Sequence, residues 1–265
     1  MRPCYTLIIA VPLLTTLFFP FAPASSYAFE RIINFETGNT SQLSFVYVAQ
    51  YTSIVPSTLR GGGNYAFRCM IPQGASDTYC GFNILLNNMP EVHSDLYVRY
   101  YVKFEPSWRF ASDNVYYKSQ IIEVDAVNYN AGGRSFVNFN SRNDTTADIA
   151  FLSYSDNSGW HQTGRTISND GQWHCIESRH LRNLANPSQG HFQFLFDGQL
   201  VVNLFPFNIG NANPASLTFG YRNGTAQQDM HMQIDEVVIA DHYIGPIGSV
   251  SDRISPLPPQ NLSVR

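Results

Sequence analysis

Short runs in which apolar and polar residues alternate recur along this chain, with turn-forming residues between them. In the run 97–104, every second residue from Val98 to Phe104 is apolar or aromatic. Helical periodicity is nearly absent; a helix, if the chain has one, is expected to be a single turn at 181–186, which Pro187 would end. The pattern predicts strands at 32–35, 45–50, 65–70, 79–86, 95–104, 116–127, 136–140, 147–153, 173–181, 191–196, 200–205, 215–221 and 230–240. So many short strands indicate an all-β protein built from two packed antiparallel sheets.

Three segments near the end of this series carry a more specific pattern. A hairpin is predicted at 192–202, because the pair Asp197-Gly198 accepts the positive φ angles of a tight turn. Apolar strands at 173–177 and 234–240 stand on either side of it in the sequence. In order and composition these segments resemble the concanavalin A-like lectin/glucanase superfamily, whose jelly rolls bind or cleave polysaccharides. The resemblance implies a two-sheet antiparallel jelly-roll sandwich with a polysaccharide as its partner.

The first residues follow a different pattern from the strands. Arg2 precedes an apolar stretch at 7–22, which is followed by small residues up to Ala28. This is typical of a secretory signal peptide, which we predict at 1–28. The mature chain is therefore expected to be secreted, to the extracellular space or the periplasm, with no membrane contact after cleavage.

The composition changes again near the C-terminus. A jelly-roll domain is predicted at 29–245, a normal size for a single all-β domain. Proline and serine are frequent from 246 to 265. This tail is either a linker or, since it reads Pro-x-x-Pro-x-Asn-Leu-x-Val, similar to the opening of a truncated fibronectin type III-like module.

Charge is sparse throughout the chain. Charged residues make up 14% of the sequence and the formal net charge is −4, whereas an average globular protein has about 25% charged residues. The sequence contains no cluster of lysine and arginine of the kind that a phosphate backbone requires, so nucleic acid is not an expected partner. Neutral amides and aromatic rings suit sugars better. We expect a monomer that engages a polysaccharide.

Four cysteines bear on the export prediction. Cys4 belongs to the predicted signal peptide, which leaves Cys69, Cys80 and Cys175. Cys69 and Cys80 flank a turn-rich stretch, so either a disulfide closes this hairpin in an oxidising compartment or both thiols are free. Cys175 lies in an apolar strand and is expected to pack as a small hydrophobic residue.

The strand at 97–104 provides the first candidate binding residues. If its even-numbered residues enter the core, then Tyr97, Arg99, Tyr101 and Lys103 share the opposite face. An ordinary solvated strand face would look the same. In polysaccharide lyases of the jelly-roll type, however, polar and aromatic residues of central strands line a concave cleft, and the resemblance therefore implies a glycan groove here.

The strand at 116–127 is where the resemblance implies catalysis. Alginate-lyase-like members carry Gln-Ile-His here, whereas this chain has Gln120-Ile121-Ile122 and lacks the histidine. Lys118 falls where related alginate- and glucuronan-lyase-like chains place a lysine. A lyase mechanism would use Arg99, Lys118 and Gln120 to neutralise a uronate carboxylate while Tyr101 helps to move the proton. His191 and Gln193 are further expected substrate-binding residues, with Tyr97, Lys103 and Glu123.

Two other functions stay open at this point. Hydrolases of the laminarinase type carry Glu-x-Asp followed by a second glutamate, of which Glu123 and Asp125 match the first two positions. The third carboxylate is missing, although a retaining hydrolase needs a pair of carboxyl groups. The absence of both the histidine and this carboxylate favours a non-catalytic carbohydrate-binding or adhesion module.

Acidic residues near the two ends of the domain indicate a structural metal site. Glu36 follows the first predicted strand and Asp235 lies in the last one. In carbohydrate-binding jelly rolls these strands pair, and such acids often share a Ca²⁺ ion. The resemblance implies calcium at Glu36 and Asp235, while the alternative is that both carboxylates bond backbone amides.

Overall fold

A computed structural model of the protein describes residues 28–110, 116–124, 134–153, 159–183, 185–210, 213–222 and 224–247. The predicted signal peptide, except for its last residue, and the tail beyond 247 lie outside these ranges. No helix within these ranges has the length and apolar character needed to cross a membrane.

Two antiparallel sheets, one of eight strands and one of nine over the described residues, pack face to face as a jelly-roll sandwich that does not close into a barrel. The eight-stranded sheet contains β1 (Glu30–Ile33), β3 (Thr52–Pro56), β4 (Tyr65–Ile71), β7 (Asp95–Phe104), β12 (Trp173–Leu181), β13 (Gly190–Phe196), β14 (Gln199–Phe207) and β17 (Met230–Ala240). The nine-stranded sheet contains β2 (Phe45–Tyr47), β5 (Thr78–Tyr79), β6 (Gly81–Leu85), β8 (Tyr116–Val124), β9 (Arg134–Ser141), β10 (Thr146–Ser153), β11 (His161–Ser168), β15 (Pro214–Thr218) and β16 (Tyr221–Arg222).

Aromatic side chains from both sheets fill the interior. Tyr100 on β7 meets Phe219 edge to face, with 5.0 Å between ring centres, and Phe219 also contacts Phe82 of β6 at 4.8 Å. Phe104 of β7 contacts Phe139 of β9 in the same way at 5.6 Å. These contacts confirm the alternation predicted for residues 97–104, because the even-numbered side chains of β7 are fully buried in this core.

The predicted fold class is confirmed, and most predicted strands overlap an observed one. β7, β12 and β17 have the predicted bounds. β3 and β11, which are edge strands of the two sheets, were not predicted. The described residues of 181–186 contain no helical turn, and Pro187 begins a 3₁₀ turn at Pro187–Gln189 instead of ending one. Proline fits that first position because the missing N–H needs no partner there.

The predicted tight hairpin between β13 and β14 is present. Asp197 and Gly198 have φ angles of 49° and 77°, the left-handed geometry that a two-residue turn of this kind requires. The Asp197 carboxylate also accepts hydrogen bonds from the backbone N–H of Cys175 and from the His174 ring, at 2.8 and 2.9 Å. The turn is thereby tied to the neighbouring strand β12.

An irregularity in β8 decides where its polar side chains point. Lys118 pairs with Asn138 of β9, and Gln120 pairs with Val137, the adjacent residue of β9. Ser119 therefore has no residue opposite it and forms a β-bulge. Such a bulge reverses the alternation of the strand beyond it. Lys118 therefore lies on the outer face of the nine-stranded sheet, whereas Gln120 enters the interior.

A disulfide joins Cys69 of β4 to Cys80, with 5.6 Å between the Cα atoms. Of the two alternatives left open by the sequence, the structure has the bridge. Cys175 is free and buried, as expected, and burial raises the pKa of its thiol to about 12.

We expect the Cys80→Ala variant to lose about 2–3 kcal/mol of unfolding free energy, because the bridge closes a short loop that the unfolded chain would otherwise leave open. Urea unfolding with and without reductant measures this loss. Reductant should lower the unfolding midpoint of the wild type and of Cys175→Ala equally, and leave Cys80→Ala unchanged. A wild-type midpoint that does not respond to reductant would contradict the prediction.

Candidate glycan-binding site

The candidate residues named from the sequence are divided between the two sheets. Arg99 and Tyr101 lie on the outer face of the eight-stranded sheet, Lys118 lies on the outer face of the nine-stranded sheet, and Gln120 lies between the sheets. The expected convergence of these four side chains on one trough does not occur. The two outer faces are therefore separate surfaces on opposite sides of the sandwich.

Gln120 forms part of a polar chain inside the sandwich. Its side-chain Nε2 donates to the Ser178 hydroxyl at 2.8 Å, and the His180 ring lies within 3.1 Å of the same hydroxyl. All three side chains are buried. Burial lowers the pKa of His180 well below its usual value, and Arg182 lowers it further. Gln120 thus joins the two sheets in the core, where a polymer could not reach it.

The outer face of the eight-stranded sheet carries most of the expected substrate-binding residues. Arg179 donates to both carboxylate oxygens of Asp95, at 2.9 and 2.7 Å, and also contacts Gln193. Gln193 and His191 both bond Asn203. Tyr97, Arg99, Tyr101 and Lys103 follow one another on this face, as predicted, and all are buried. Their burial means that they are not an open glycan surface.

Part of this face is covered by residues 241–247, which we call the terminal strap. Its backbone N–H groups at Ile244 and Gly245 donate to the Glu177 carboxylate at 3.1 and 3.0 Å. The Gly245 carbonyl accepts a hydrogen bond from Arg99 at 2.8 Å, and the Ile247 N–H donates to the Tyr101 hydroxyl at 2.6 Å. The chain itself therefore occupies the polar groups that were expected to hold substrate.

Tyr101 is also poorly suited to proton transfer at this place. Burial raises the pKa of its hydroxyl, and the neighbouring Cys175 adds to this effect. Ile247 of the strap and Leu59 pack with Tyr101 and Cys175 in a small apolar cluster.

Lys118 lies at the centre of the other outer face. Its ammonium group is 4.5 Å from the centre of the Phe136 ring and 5.2 Å from that of Tyr221. Burial lowers the pKa of Lys118, Arg134 lowers it further, and Glu123 acts in the opposite direction. This lysine is therefore a partly desolvated cation held between two aromatic rings, next to a polar strand.

Buried polar side chains form the floor beside Lys118. Asn138, its cross-strand neighbour, is fully buried and donates to Asn140, but its side-chain carbonyl oxygen has no partner among the described residues. Asn83 donates to the Thr218 hydroxyl at 2.8 Å. An unpaired buried acceptor costs stability unless a donor reaches it. This oxygen is shielded from solvent, so Asn138 belongs to the buried floor of the face.

Glu123 shares this face but does not form the carboxylate pair of a hydrolase. It makes an ion pair with Arg134 at 3.0 Å and accepts a hydrogen bond from Ser216. Glu177 lies on the other sheet, under the terminal strap. The matched Asp125 lies outside the described residues. No second carboxylate is brought to Glu123 by the central strands that the structure describes.

A row of aromatic rings extends from Lys118 to the sheet edge, and sequence analysis missed it. Tyr221 contacts Tyr79 at 4.5 Å between ring centres, Tyr79 contacts Tyr47 at 5.0 Å, and Tyr47 contacts Phe45 at 5.0 Å. Phe45 is 57% exposed and Tyr79 is 40% exposed. We call these four residues the aromatic row. Its members come from three short strands, of which only β2 was predicted near its observed bounds. The row forms between segments that are distant in the sequence, so no local pattern predicts it.

Glu36 and Asp235, the carboxylates expected to bind calcium, accept hydrogen bonds from donor groups of the chain itself. Glu36 accepts hydrogen bonds from the backbone N–H groups of Asn64 and Tyr65 and from the Asn64 side chain. Asp235 accepts from the Ser57 hydroxyl at 2.6 Å and from the Glu236 N–H at 2.8 Å. Among the described residues, no group of three or more His, Cys, Asp and Glu is arranged to hold a metal ion. Calcium at this position stays a prediction.

Comparison with solved structures identifies similar folds, whereas no family model and no curated protein sequence matches the chain. Alginate lyase Aly36B aligns with a TM-score of 0.54 and 12% identity over 79% of this chain and 96% of that one. An endo-β-1,4-glucuronan lyase from the fungus Trichoderma reesei aligns with a TM-score of 0.56 and 13% identity over 79% and 94%. A PL-14 alginate lyase from Aplysia kurodai aligns with a TM-score of 0.54 and 12% identity over 74% and 88%. The shared feature is the jelly-roll fold.

The buried acid Asp235 generates a pH prediction. Burial raises its pKa from 3.8 to about 7, and the Glu236 and Glu36 carboxylates add to this although Ser57 opposes it. From about pH 4 to pH 7 the folded protein thus holds a proton that the unfolded chain releases, so the unfolding free energy falls as pH rises through this window. Asp235→Asn, which cannot ionise, should lack that fall.

Urea unfolding at a series of pH values, with a chelator present to remove divalent cations, measures this difference. The unfolding free energy of the wild type should decrease relative to that of Asp235→Asn between pH 4 and pH 7. Parallel curves for the two proteins would show that Asp235 titrates normally.

Proposed function

We propose that this protein is a polysaccharide lyase that binds a uronate-containing glycan on the outer face of the nine-stranded sheet and cleaves it at Lys118 by β-elimination. The observation that carries the proposal is the environment of Lys118. Its pKa is lowered by burial, and an aromatic ring lies on each side of it. The jelly-roll fold shared with alginate and glucuronan lyases supports the same reaction class.

β-Elimination on a uronate requires three operations. A base removes the proton at C5, the freed electron pair forms the double bond between C4 and C5, and the C4–O bond breaks as its oxygen takes up a proton. The carboxylate must also be hydrogen-bonded or paired, because it stabilises the charge that develops at C5.

Lys118 and Tyr221 can divide these operations between them. Because its pKa is lowered, Lys118 is more often a neutral amine near pH 7 than a solvated lysine is, and a neutral amine accepts the C5 proton. Tyr221, its cross-strand neighbour, supplies a phenolic proton for the leaving oxygen. Arg134, which is paired with Glu123, lies close enough to Lys118 to lower its pKa, and it adds positive potential on this face.

A lysine and a tyrosine are replaced together in one solved complex of alginate lyase Aly36B. Two variants of alginate lyase Aly36B were solved with alginate oligosaccharides, one with a trisaccharide and one with a tetrasaccharide. Both variants have a lysine replaced by alanine; the variant with the trisaccharide also has a methionine replaced, and the variant with the tetrasaccharide a tyrosine. In this chain, Lys118 and Tyr221 are the lysine and tyrosine that face each other across adjacent strands of one outer face.

Export belongs to the same proposal. The apolar N-terminal stretch after Arg2 supports a signal peptide, and the disulfide between Cys69 and Cys80 supports an oxidising destination. An exported protein meets polysaccharides outside the cell.

A non-catalytic carbohydrate-binding module is the second candidate. The aromatic row favours it, because exposed rings such as Tyr79 and Phe45 bind sugar faces without any chemistry. The same outer face would be used, and Lys118 would then serve only to hold the carboxylate.

The chain contains two lysines, which offers a matched test. Lys103 also has a pKa lowered by burial and also lies against an aromatic ring, 4.9 Å from the centre of Trp173, but on the eight-stranded sheet. With a panel of uronate-containing glycans, the ultraviolet absorbance of the unsaturated product should fall by about 100-fold or more in Lys118→Met, as expected for loss of a general base. Lys103→Met should retain the wild-type rate.

The outcomes separate the candidate functions. Loss of product in Lys103→Met with full activity in Lys118→Met would place the reaction on the other sheet and contradict the proposal. New reducing ends without ultraviolet absorbance would indicate a hydrolase. Retention of the wild type on a glycan column with no product from any glycan would favour the binding module.

A further inference from the structure

A chain of hydrogen bonds crosses the outer face of the eight-stranded sheet beyond the terminal strap. Asp95 of β7 accepts two hydrogen bonds from Arg179 of β12, at 2.9 and 2.7 Å. Arg179 also donates to the Gln193 side chain of β13 at 3.3 Å, and Gln193 donates to the Asn203 side chain of β14 at 3.2 Å. His191 bonds the same Asn203 oxygen. Four adjacent strands thereby fix the position of one exposed amide.

This chain ends in polar groups that are left unused. The Asn203 oxygen is an acceptor only, so the His191 Nε2 that contacts it carries the proton, and Nδ1 of the neutral ring is an acceptor. Neither this Nδ1 nor the two N–H groups of Asn203 Nδ2 bond any of the described residues. His191 is only 4% exposed, whereas Asn203 is open to solvent. A positioned donor and a positioned acceptor thus lie side by side.

An exposed aromatic ring lies beside these groups. Phe205 of β14 is 62% exposed, and its ring meets the His191 ring edge to face, with 5.7 Å between ring centres. Asn203 and Phe205 are two residues apart on one strand and therefore point to the same side. A sugar ring has an apolar face of C–H groups, which suits an aromatic ring, and hydroxyl groups, which suit an amide donor and an imidazole acceptor.

The two strands that form this edge carry no charged residue other than histidine. β13 and β14 contain no Lys, Arg, Asp or Glu at Gly190–Phe196 and Gln199–Phe207. The charged members of the hydrogen-bond chain, Arg179 and Asp95, are already paired with each other. A uronate carboxylate would lose water here without gaining a cation. The ligand that fits this chemistry is therefore a neutral sugar.

A second copy of the chain fits the same edge less well. Over the described residues, β14 is the last strand of its sheet, and an edge strand can pair with a strand of another chain. Pro206 lies within β14 and lacks an N–H, and proline in an edge strand is a common protection against such pairing. The edge is therefore better suited to a ligand that contacts its outward side chains.

We infer that Phe205, Asn203 and His191 form a second carbohydrate-binding site, which takes a neutral sugar unit and lies on the opposite side of the sandwich from Lys118. The sugar stacks on Phe205, one hydroxyl accepts a hydrogen bond from the Asn203 amide, and another donates to His191 Nδ1. The site shares no residue with the proposed lyase reaction and does not depend on it. It would hold neutral stretches of a glycan on one face while the reaction proceeds on the other.

Calorimetric titration with neutral tetrasaccharides tests this inference. The probes are β-1,4-linked tetramers of glucose, of mannose and of xylose, each titrated separately into the full chain. At least one of them should bind the wild type. Hydrogen exchange in the presence of that tetramer should slow in β13 and β14, where the site lies.

Three variants identify the contacts. Phe205→Ala should weaken binding of the tetramer about tenfold, because the stacking surface is lost. Asn203→Asp keeps the oxygen that accepts from His191 and Gln193 but removes both N–H donors, and it should weaken binding by a similar factor, about tenfold. Tyr65 provides the control, since it is an exposed ring on β4 of the same sheet. Tyr65→Ala should bind the tetramer as the wild type does.

The absence of binding by all three tetramers, or unchanged binding by Phe205→Ala, would overturn the inference. Slowed exchange in β5, β6 and β16 alone would place the neutral sugar on the aromatic row and would overturn it as well. Light scattering adds a further check: a wild-type dimer that Phe205→Ala disrupts would show that this edge contacts a second copy of the chain, contrary to the inference. The ultraviolet assay of Lys118→Met tests the lyase separately, so either proposal can fail alone.

Discussion

The packing of the two sheets against each other determines which side chains can meet a ligand. Because Tyr100 and Phe104 of β7 and Phe139 of β9 pack between the sheets, both strands must turn their alternate residues outward. The outward residues of one sheet can never meet those of the other. A functional site on this protein therefore belongs to one outer face or the other, and residues that are close in the sequence can be on opposite sides of the molecule.

The two outer faces differ in what covers them. On the eight-stranded sheet, Arg99, Tyr101 and Glu177 hold the terminal strap by four hydrogen bonds, so their polarity stabilises the fold. On the nine-stranded sheet, Lys118 is partly desolvated beside Asn138, whose buried carbonyl oxygen lacks a partner in the described part of the chain. The exposed rings that continue from Lys118, and the strap that covers Arg99 and Tyr101 on the other sheet, are what favour the nine-stranded sheet as the proposed glycan surface.

The sequence predicted features that depend on local pattern. The alternation of residues predicted the bounds and the buried face of β7, and the Asp197-Gly198 pair predicted the hairpin between β13 and β14, because both effects act within a few residues. The bulge at Ser119 could not be predicted, because one extra residue leaves no mark on composition, yet it separates Lys118 from Gln120. The edge strands β3 and β11 were not predicted, because their apolar and polar residues do not alternate strongly. Each lies at the edge of its sheet, where burial imposes less of this pattern. The aromatic row and the terminal strap depend on contacts between distant segments.

Hydrogen exchange followed by mass spectrometry, with and without a bound uronate oligosaccharide, tests the central claim most directly. If the glycan lies on the outer face of the nine-stranded sheet, bound oligosaccharide should slow exchange in β6, β8 and β15 and leave β7 and β12 unchanged. Slowed exchange in β7 and β12, together with unchanged exchange in β8, would place the glycan under or beside the terminal strap and contradict the account.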